Sequence, residues 1–172
     1  DEIHITGSNR SFDTIVWGAP GPEREARKAK NDPRLKRPIS AELGNVSPVL
    51  VVPGPYSKRE LFYQAEDIVS SLVFNASFNC NAAKVIVTPK GWAGRDTFLR
   101  GVTQALSRAA VRKAYYPGAP ERWRTYTEGR PQLRTFGTAT ADGLPWALIP
   151  GVDAQSPEQG FATESFSPVL YE

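Results

Sequence analysis

Residues 57–88 read SKRELFYQAEDIVSSLVFNASFNCNAAKVIVT, and this stretch decides the fold class. Ser57 and Glu60 form a capping box, in which the serine hydroxyl bonds the amide three residues on and the glutamate carboxylate returns to the serine amide. The apolar residues that follow recur at helical spacing and form one wide stripe. They are Leu61, Phe62, Ala65, Ile68, Val69, Leu72 and Val73. The sequence therefore predicts an amphipathic helix from Ser57 to about Phe74, then a polar loop and an apolar strand over 84–88.

Strand and helix patterns alternate on both sides of this stretch. Residues 39–43 and 48–52 are two short strand patterns, and the second is almost wholly apolar, which predicts a strand buried on both faces. Residues from 95 to about 110 carry a second amphipathic helix pattern. Such alternation predicts an α/β fold with parallel strands.

The two ends of the chain carry weaker patterns. Residues 2–6 alternate apolar and polar side chains, which predicts a strand, and a short helix should follow and end at Trp17. The stretch 19–38 is basic and contains four prolines, which exclude a long helix across it, so we interpret it as a loop. The remaining predicted elements are a short helix over 120–129 and strands over 144–149 and 166–171.

Composition excludes several classes of protein. Of 172 residues, 40% are hydrophobic and 23% are charged, which is ordinary for a soluble globular chain. Seven Lys or Arg face three acidic residues in 19–38 without interleaved aromatic side chains, so we interpret the net charge of +3 as a solvated loop and expect no nucleic-acid partner. No apolar run approaches the roughly 18 residues that span a bilayer, so we expect no membrane partner. One cysteine excludes an internal disulfide, and one cysteine with one histidine cannot form a structural zinc site, so we expect a cytoplasmic protein without metal.

Cys80 is the strongest candidate for a reactive group. It lies in the polar loop between the predicted helix and strand, where a buried structural thiol is not expected, so we interpret it as a nucleophile. A thiol needs a base or a favourable local field to act as a thiolate at neutral pH. His4, the only histidine, would supply the base of a cysteine hydrolase, whereas Glu42, at the end of a predicted strand, would supply a carboxylate. The residues alone leave both alternatives open.

Four short motifs together are similar to those of one family. They are Thr6-Gly-Ser8, Glu42-Leu-Gly44, the loop from Asn75 to Cys80, and Glu164-Ser-Phe-Ser-Pro168. In this order the chain resembles the NAD(P)-dependent aldehyde dehydrogenase superfamily. The resemblance implies a three-layer α/β/α fold with a largely parallel sheet, an aldehyde as substrate, NAD or NADP as cofactor, and a homo-oligomeric parent protein.

The resemblance also implies roles for individual residues. Cys80 matches the nucleophile that attacks the aldehyde carbonyl, and Glu42 matches the general base that activates water to hydrolyse the resulting thioester. Glu164 and Phe166 match the pair that positions the nicotinamide ribose and ring.

The resemblance divides the chain into parts of two domains. Residues 1–40 would be the tail of the nucleotide-binding domain with the basic loop, and 41–172 most of the catalytic domain. Gly7 and Ser8 match the turn beside the cofactor's pyrophosphate, where helix amides and the helix dipole favour an anion. The family's upstream portion, which supplies most of the dinucleotide fold, has no counterpart in these residues, so we expect the chain to be a piece of a longer protein that is inactive by itself.

Three alternatives to an acid-forming dehydrogenase remain. An acyl-transferring relative would pass the acyl group to a thiol such as coenzyme A, although a water-activating Glu42 would compete with that transfer. A non-catalytic α/β module would keep the fold without cofactor. A cysteine hydrolase would require His4 within hydrogen-bond reach of Cys80.

Overall fold

A computed structural model describes residues 1–172, and the chain divides into two units, Asp1–Gly44 and Asn45–Glu172. The first unit contains β1 (Ile3–Thr6), α1 (Asn9–Trp17), α2 (Pro22–Ala29) and β2 (Ile39–Glu42). The second unit contains β3 (Pro48–Leu50), α3 (Lys58–Val73), β4 (Val85–Val87), α4 (Arg95–Arg108), α5 (Ala119–Thr127), β5 (Arg134–Phe136), β6 (Trp146–Ile149), α6 (Gln159–Ala162) and β7 (Val169–Tyr171). Glu42 lies in the first unit, and the assignment of 1–40 to a nucleotide-binding domain and 41–172 to a catalytic domain stays a prediction.

The first unit is built on two parallel strands. β1 and β2 pair with Thr6 opposite Glu42. α1 ends at Trp17, as the sequence predicted. Inside the predicted loop 19–38, α2 forms two turns that begin at Pro22. Proline is well suited to the first turn of a helix, because that position needs no amide donor, so the prolines exclude a long helix but permit a short one.

The second unit is a five-stranded sheet with helices on both faces. The strand order is β3-β4-β7-β6-β5, and every neighbouring pair is parallel except β5 and β6. Alternate side chains of the central strands point to opposite faces because a strand repeats every two residues. Those that pack with α3 and α4 include Ile86, Leu148 and Leu170. Those that pack near Tyr126 of α5 include Val85, Ala147 and Val169. The predicted α/β/α layering with a largely parallel sheet is confirmed.

Helix α3 forms as its local sequence predicts. Glu60 N donates to Ser57 Oγ at 3.3 Å, and Ser57 N donates to Glu60 Oε2 at 2.8 Å, which completes the capping box. The helix packs closely on α4 at Gly101, where an added Cβ would lie 2.9 Å from Ala65 Cβ. Only a residue without a side chain permits this approach of the two helices.

The prediction that strand 48–52 is buried on both faces is wrong. β3 is an edge strand, and Leu50 and Val52 are 71% and 70% exposed. Val49 and Val51, on the other face, pack against the α3–α4 core. An edge strand with one covered face needs only alternate apolar residues, so the continuous apolar run did not indicate two buried faces.

Candidate active site

Cys80 follows a short 3-10 turn, Phe74–Ser77, that continues from α3. Three consecutive residues of this turn have left-handed backbone conformations: φ is 49° at Asn75, 53° at Ala76 and 71° at Ser77. This conformation costs a residue with a side chain roughly 1 to 2 kcal/mol. Such strain persists where the surrounding structure holds it, and it concentrates at functional sites.

Side-chain hydrogen bonds hold the turn in place. Asn75 Nδ2 donates to Phe78 O at 3.2 Å and to Asn79 Oδ1 at 2.9 Å. Tyr115 OH donates to Asn75 Oδ1 at 3.1 Å. The side-chain amide of Asn75 is therefore hydrogen-bonded through both its nitrogen and its oxygen, and these bonds fix the path of the backbone towards Cys80.

Cys80 itself is half-buried at the amino end of β4. Its carbonyl oxygen accepts a hydrogen bond from Ser47 Oγ at 2.7 Å. Ser47 lies just before β3 and has a φ of 42°, and its amide donates to Asn45 Oδ1 at 2.9 Å. The loops that precede two neighbouring parallel strands are thus joined at the cysteine.

The Glu164–Ser167 segment precedes β7, the next strand in the sheet. Phe166 has a φ of 41°. Arg122 Nε donates to Phe166 O at 3.3 Å, and Tyr126 OH donates to Glu164 O at 3.3 Å. Both donors come from α5. This helix therefore fixes the segment at the amino ends of the strands, the same end of the sheet at which Cys80 lies.

Aromatic side chains join the Cys80 loop to this segment. The ring of Phe166 lies 5.8 Å from that of Phe78 and 4.7 Å from that of Tyr116, between centroids. The guanidinium of Arg122 lies over the Tyr116 and Phe166 rings, at 5.6 and 6.0 Å. Partial burial lowers the pKa of Arg122 from its ordinary value, opposed by nearby groups that include Glu164.

Lys84 forms a second connection between the two segments. Its side chain is buried, and Nζ donates to Ser77 O at 2.7 Å, to Ser77 Oγ, and to Ser167 O at 3.4 Å. Burial lowers the pKa of Lys84 to about 7, and the charge of Glu164 partly opposes that change. A titratable amine therefore lies between the cysteine loop and the Glu164 segment.

The first unit brings together three other predicted site residues. Gly7 N donates to Glu42 O at 3.0 Å, so the β1–α1 turn lies beside the end of β2. Ser8 caps α1, and its Oγ accepts from Ser11 N at 3.1 Å. The first turn of α1 contains no acidic residue, and its amides have no intrahelical acceptors. Ser8 Oγ already accepts from one of these amides, and a role for Gly7 and Ser8 beside a cofactor pyrophosphate stays a prediction.

The remaining candidate groups do not form a metal site. No cluster of three or more His, Cys, Asp or Glu side chains could hold an ion. His4 is exposed on β1, and its Nδ1 lies 2.8 Å from Ser40 Oγ. None of the helices has the length and apolar character needed to cross a membrane.

Solved structures of several aldehyde dehydrogenases are similar to the chain over 99% of its residues. A putative aldehyde dehydrogenase from Burkholderia cenocepacia has a TM-score of 0.71 at 19% identity. The NADP-dependent glyceraldehyde-3-phosphate dehydrogenase from Bacillus halodurans C-125, complexed with NADP, has a TM-score of 0.70 at 15% identity. Lactaldehyde dehydrogenase from Escherichia coli has a TM-score of 0.69 at 21% identity. The chain has the aldehyde dehydrogenase fold.

The match covers only part of each of those enzymes. The chain spans 36% of the Burkholderia protein, 34% of the Bacillus protein and 35% of the Escherichia protein. No protein-family model and no curated protein matches the chain. Fold similarity at these identities establishes the aldehyde dehydrogenase architecture alone.

Within this aldehyde dehydrogenase fold the predicted site residues fall into two groups. The second unit carries Cys80, Glu164 and Phe166, and their loops meet at the amino ends of parallel strands. The first unit carries Gly7, Ser8 and Glu42. That Glu42 acts as a base on chemistry at Cys80 stays a prediction.

Sequence reasoning missed two residues of the site, Lys84 and Arg122. Lys84 was counted only as the start of an apolar strand, yet one lysine directly before Val-Ile-Val is a signal that its amine has a buried partner. Arg122 lies on α5 without any comparable signal. Its contacts with the Phe166 segment come from residues distant in sequence.

Proposed function

We propose that the chain is the catalytic part of an NAD(P)-dependent aldehyde dehydrogenase that oxidises an aldehyde to a carboxylic acid. One observation carries the proposal: the strained Cys80 loop and the Glu164–Phe166 segment meet at the amino ends of neighbouring parallel strands. This end of the sheet combines a half-buried thiol with a segment held rigidly by α5. The aldehyde dehydrogenase fold of the whole chain supports the same assignment.

Cys80 is the proposed nucleophile. Its thiolate sulfur attacks the carbonyl carbon of the aldehyde, and the carbonyl oxygen becomes the oxyanion of a thiohemiacetal. Collapse of that oxyanion re-forms the carbonyl and expels the hydrogen of the same carbon as hydride, which leaves the acyl group on Cys80 as a thioester. NAD(P)⁺, when bound, accepts that hydride.

Four residues would hold the cofactor. The amides at the start of α1, beside Gly7 and Ser8, face the place where an anionic pyrophosphate would be favoured. Glu164 would bind the nicotinamide ribose and Phe166 would contact the ring. Two structures with similar folds contain NADP and NAD⁺, in the Bacillus enzyme and an indole-3-acetaldehyde dehydrogenase, which supports either nucleotide.

Glu42 is the proposed general base for the second half of the reaction. Its carboxylate takes a proton from water, the resulting hydroxide attacks the thioester carbonyl, and the Cys80 thiolate leaves as the acid forms. Pairing with Lys or Arg would weaken such a base. Lys36, which is close in sequence, bonds Asp32 instead, and Glu42 is exposed at the end of β2.

The test measures NADH or NADPH formation from a panel of aldehydes by the protein at its full natural length. We expect Cys80→Ala to abolish the formation of reduced cofactor. We expect Glu42→Gln to lower the steady-state rate about a hundredfold or more while it keeps a single-turnover burst, because only thioester hydrolysis is slowed. Glu2→Gln, an exposed carboxylate in the same unit, is the matched control.

Two results would contradict the assignment. Oxidation at the normal rate by Cys80→Ala would exclude the cysteine mechanism. Rapid steady-state turnover by Glu42→Gln, equal to that of the Glu2→Gln control, would exclude Glu42 as the base.

A further inference from the structure

Lys84 occupies an environment in which all of its hydrogen-bonding capacity is used. The residue is 2% exposed. An ammonium group has three N–H donors, and three acceptors surround Nζ: the carbonyl and hydroxyl of Ser77, and the carbonyl of Ser167. Each N–H of the ammonium group therefore has an acceptor, and the side chain connects Ser77 to Ser167.

Packing alone does not account for a lysine at this position. Transfer of an amine from water into the protein interior costs free energy, whereas a methionine of similar length would fill the same space without that cost. The structure offsets the cost of burying the amine through the two backbone segments that the amine holds in place. Ser77 and the residue before Ser167 both have left-handed backbones, with φ of 71° at Ser77 and 41° at Phe166, and Lys84 binds at both places.

We propose that Lys84 is a positioning residue for Cys80, which ties the strained turn before the cysteine to the backbone that follows Phe166. Ser77 lies three residues before Cys80, so the tie sets the path of the backbone that presents the sulfur. Ser167 follows the Glu164–Phe166 segment, so the same ammonium sets the spacing between the thiol and that segment. The inference rests on the proposed function for its catalytic consequence but not for its effect on the thiol.

Protonation of Lys84 controls the strength of these bonds. The charge of Glu164 partly opposes the effect of burial on the pKa of Lys84. Because burial lowers the pKa of Lys84 to about 7, the amine loses a proton near neutral pH, and it then has two N–H donors for three acceptors. The ties weaken as the pH rises, because bonds from a neutral amine are not charge-assisted, so the reactivity of Cys80 should show an ionisation near neutrality that belongs to Lys84.

The test compares Lys84→Met with Lys90→Met, an exposed lysine six residues further on, in the protein at its full natural length. The first readout is the rate of Cys80 alkylation by iodoacetamide from pH 5.5 to 9, measured on the Cys80 peptide by mass spectrometry. The second is kcat and KM for aldehyde oxidation. The melting temperature shows whether each variant is folded.

For Lys84→Met we expect a folded protein whose Cys80 alkylates about tenfold more slowly at neutral pH and whose profile lacks the ionisation near 7. We expect kcat to fall about ten- to a hundredfold with KM little changed, because the sulfur is displaced and the binding groups remain. Lys90→Met should match the wild type in every readout. Ser77→Ala, which removes one of three acceptors, should give a smaller change in the same direction.

A folded Lys84→Met protein with the wild-type alkylation rate and pH profile would overturn the proposal. If Lys84→Met does not fold, Ser77→Ala decides, and an unchanged alkylation profile in that variant overturns the proposal equally. Failure of the proposed function is distinguishable, because aldehyde oxidation that survives Cys80→Ala would refute the enzyme mechanism and leave the alkylation results intact.

Discussion

Glu172→Gln should destabilise the second unit, because the Glu172 carboxylate connects four of its segments. The side chain is 1% exposed, and it accepts hydrogen bonds from Arg95 Nε at 2.7 Å, Arg95 Nη2 at 2.6 Å, Gly151 N at 2.9 Å and Thr88 Oγ1. Thr88 follows β4, Gly151 follows β6, and Arg95 begins α4, while Glu172 itself follows β7. The carboxylate therefore joins the carboxyl ends of three strands to the start of one helix.

The magnitude follows from the burial of the two partners. Loss of one member of a fully buried ion pair costs about 3 to 5 kcal/mol, mostly from the charge that remains. Arg95 is 31% exposed and recovers some hydration, and glutamine keeps one acceptor oxygen. We therefore expect the free energy of unfolding to fall by about 2 to 3 kcal/mol at pH 7, at or below the lower limit of that range.

The pH dependence has a definite sign. Burial alone would raise the pKa of Glu172, but the hydrogen bonds from Arg95, Thr88 and Gly151 outweigh it and hold the pKa below its ordinary value of 4.5. A lowered pKa in the folded state contributes stability that is complete above the unfolded value and is lost as the pH falls through the folded value. The difference between wild type and Glu172→Gln should therefore shrink below pH 4.5.

The assay is urea unfolding from pH 7 to 3, followed by circular dichroism, on the protein at its full natural length. Glu121→Gln is the matched control, since Glu121 pairs with Arg124 in solvent and the change should cost less than about 0.5 kcal/mol. A stability difference for Glu172→Gln that stays constant down to pH 3, or one no larger than that of the control, would refute the reasoning.

Two further changes test the packing and capping of α3 by the same unfolding assay. Leu72→Ala empties a fully buried position and should cost about 2 to 5 kcal/mol, whereas Phe74→Ala, at an exposed residue, should cost less than about 0.5 kcal/mol. Equal losses for the two would contradict the assigned core. Ser57→Ala breaks the capping box and should cost about 1 kcal/mol, and Ser107→Ala, within α4 and exposed, should be nearly neutral. A neutral Ser57→Ala would mean that the cap contributes nothing to stability.

Short-range patterns predicted the elements whose stability is local. The capping box and apolar stripe of α3 act within a few residues, so their sequence was sufficient. β5 was missed because its three residues, Arg134–Phe136, are too few for a periodic pattern and form a strand only by pairing with β6. Likewise the exposure of Leu50 depends on β3 being an edge strand, which no local pattern states.

The residues of the candidate site also divide into those that a short motif predicts and those that only tertiary contacts reveal. Cys80, Glu164 and Phe166 were predicted because short motifs carry them. Lys84 was not, since its partners Ser77 and Ser167 are separated by 90 positions and meet only when β4 and β7 pair. A buried amine is visible only once the residues that bury it are in place.

By itself the sequence determined where helices begin, the alternation that makes an α/β chain, and the loop that carries the one thiol, because hydrogen bonds and periodicity over a few residues decide these features. The tertiary structure alone decided which strand lies at the edge and which loops meet at Cys80. Parallel pairing brings distant segments to one end of the sheet, and the energy of those contacts does not depend on their separation along the chain.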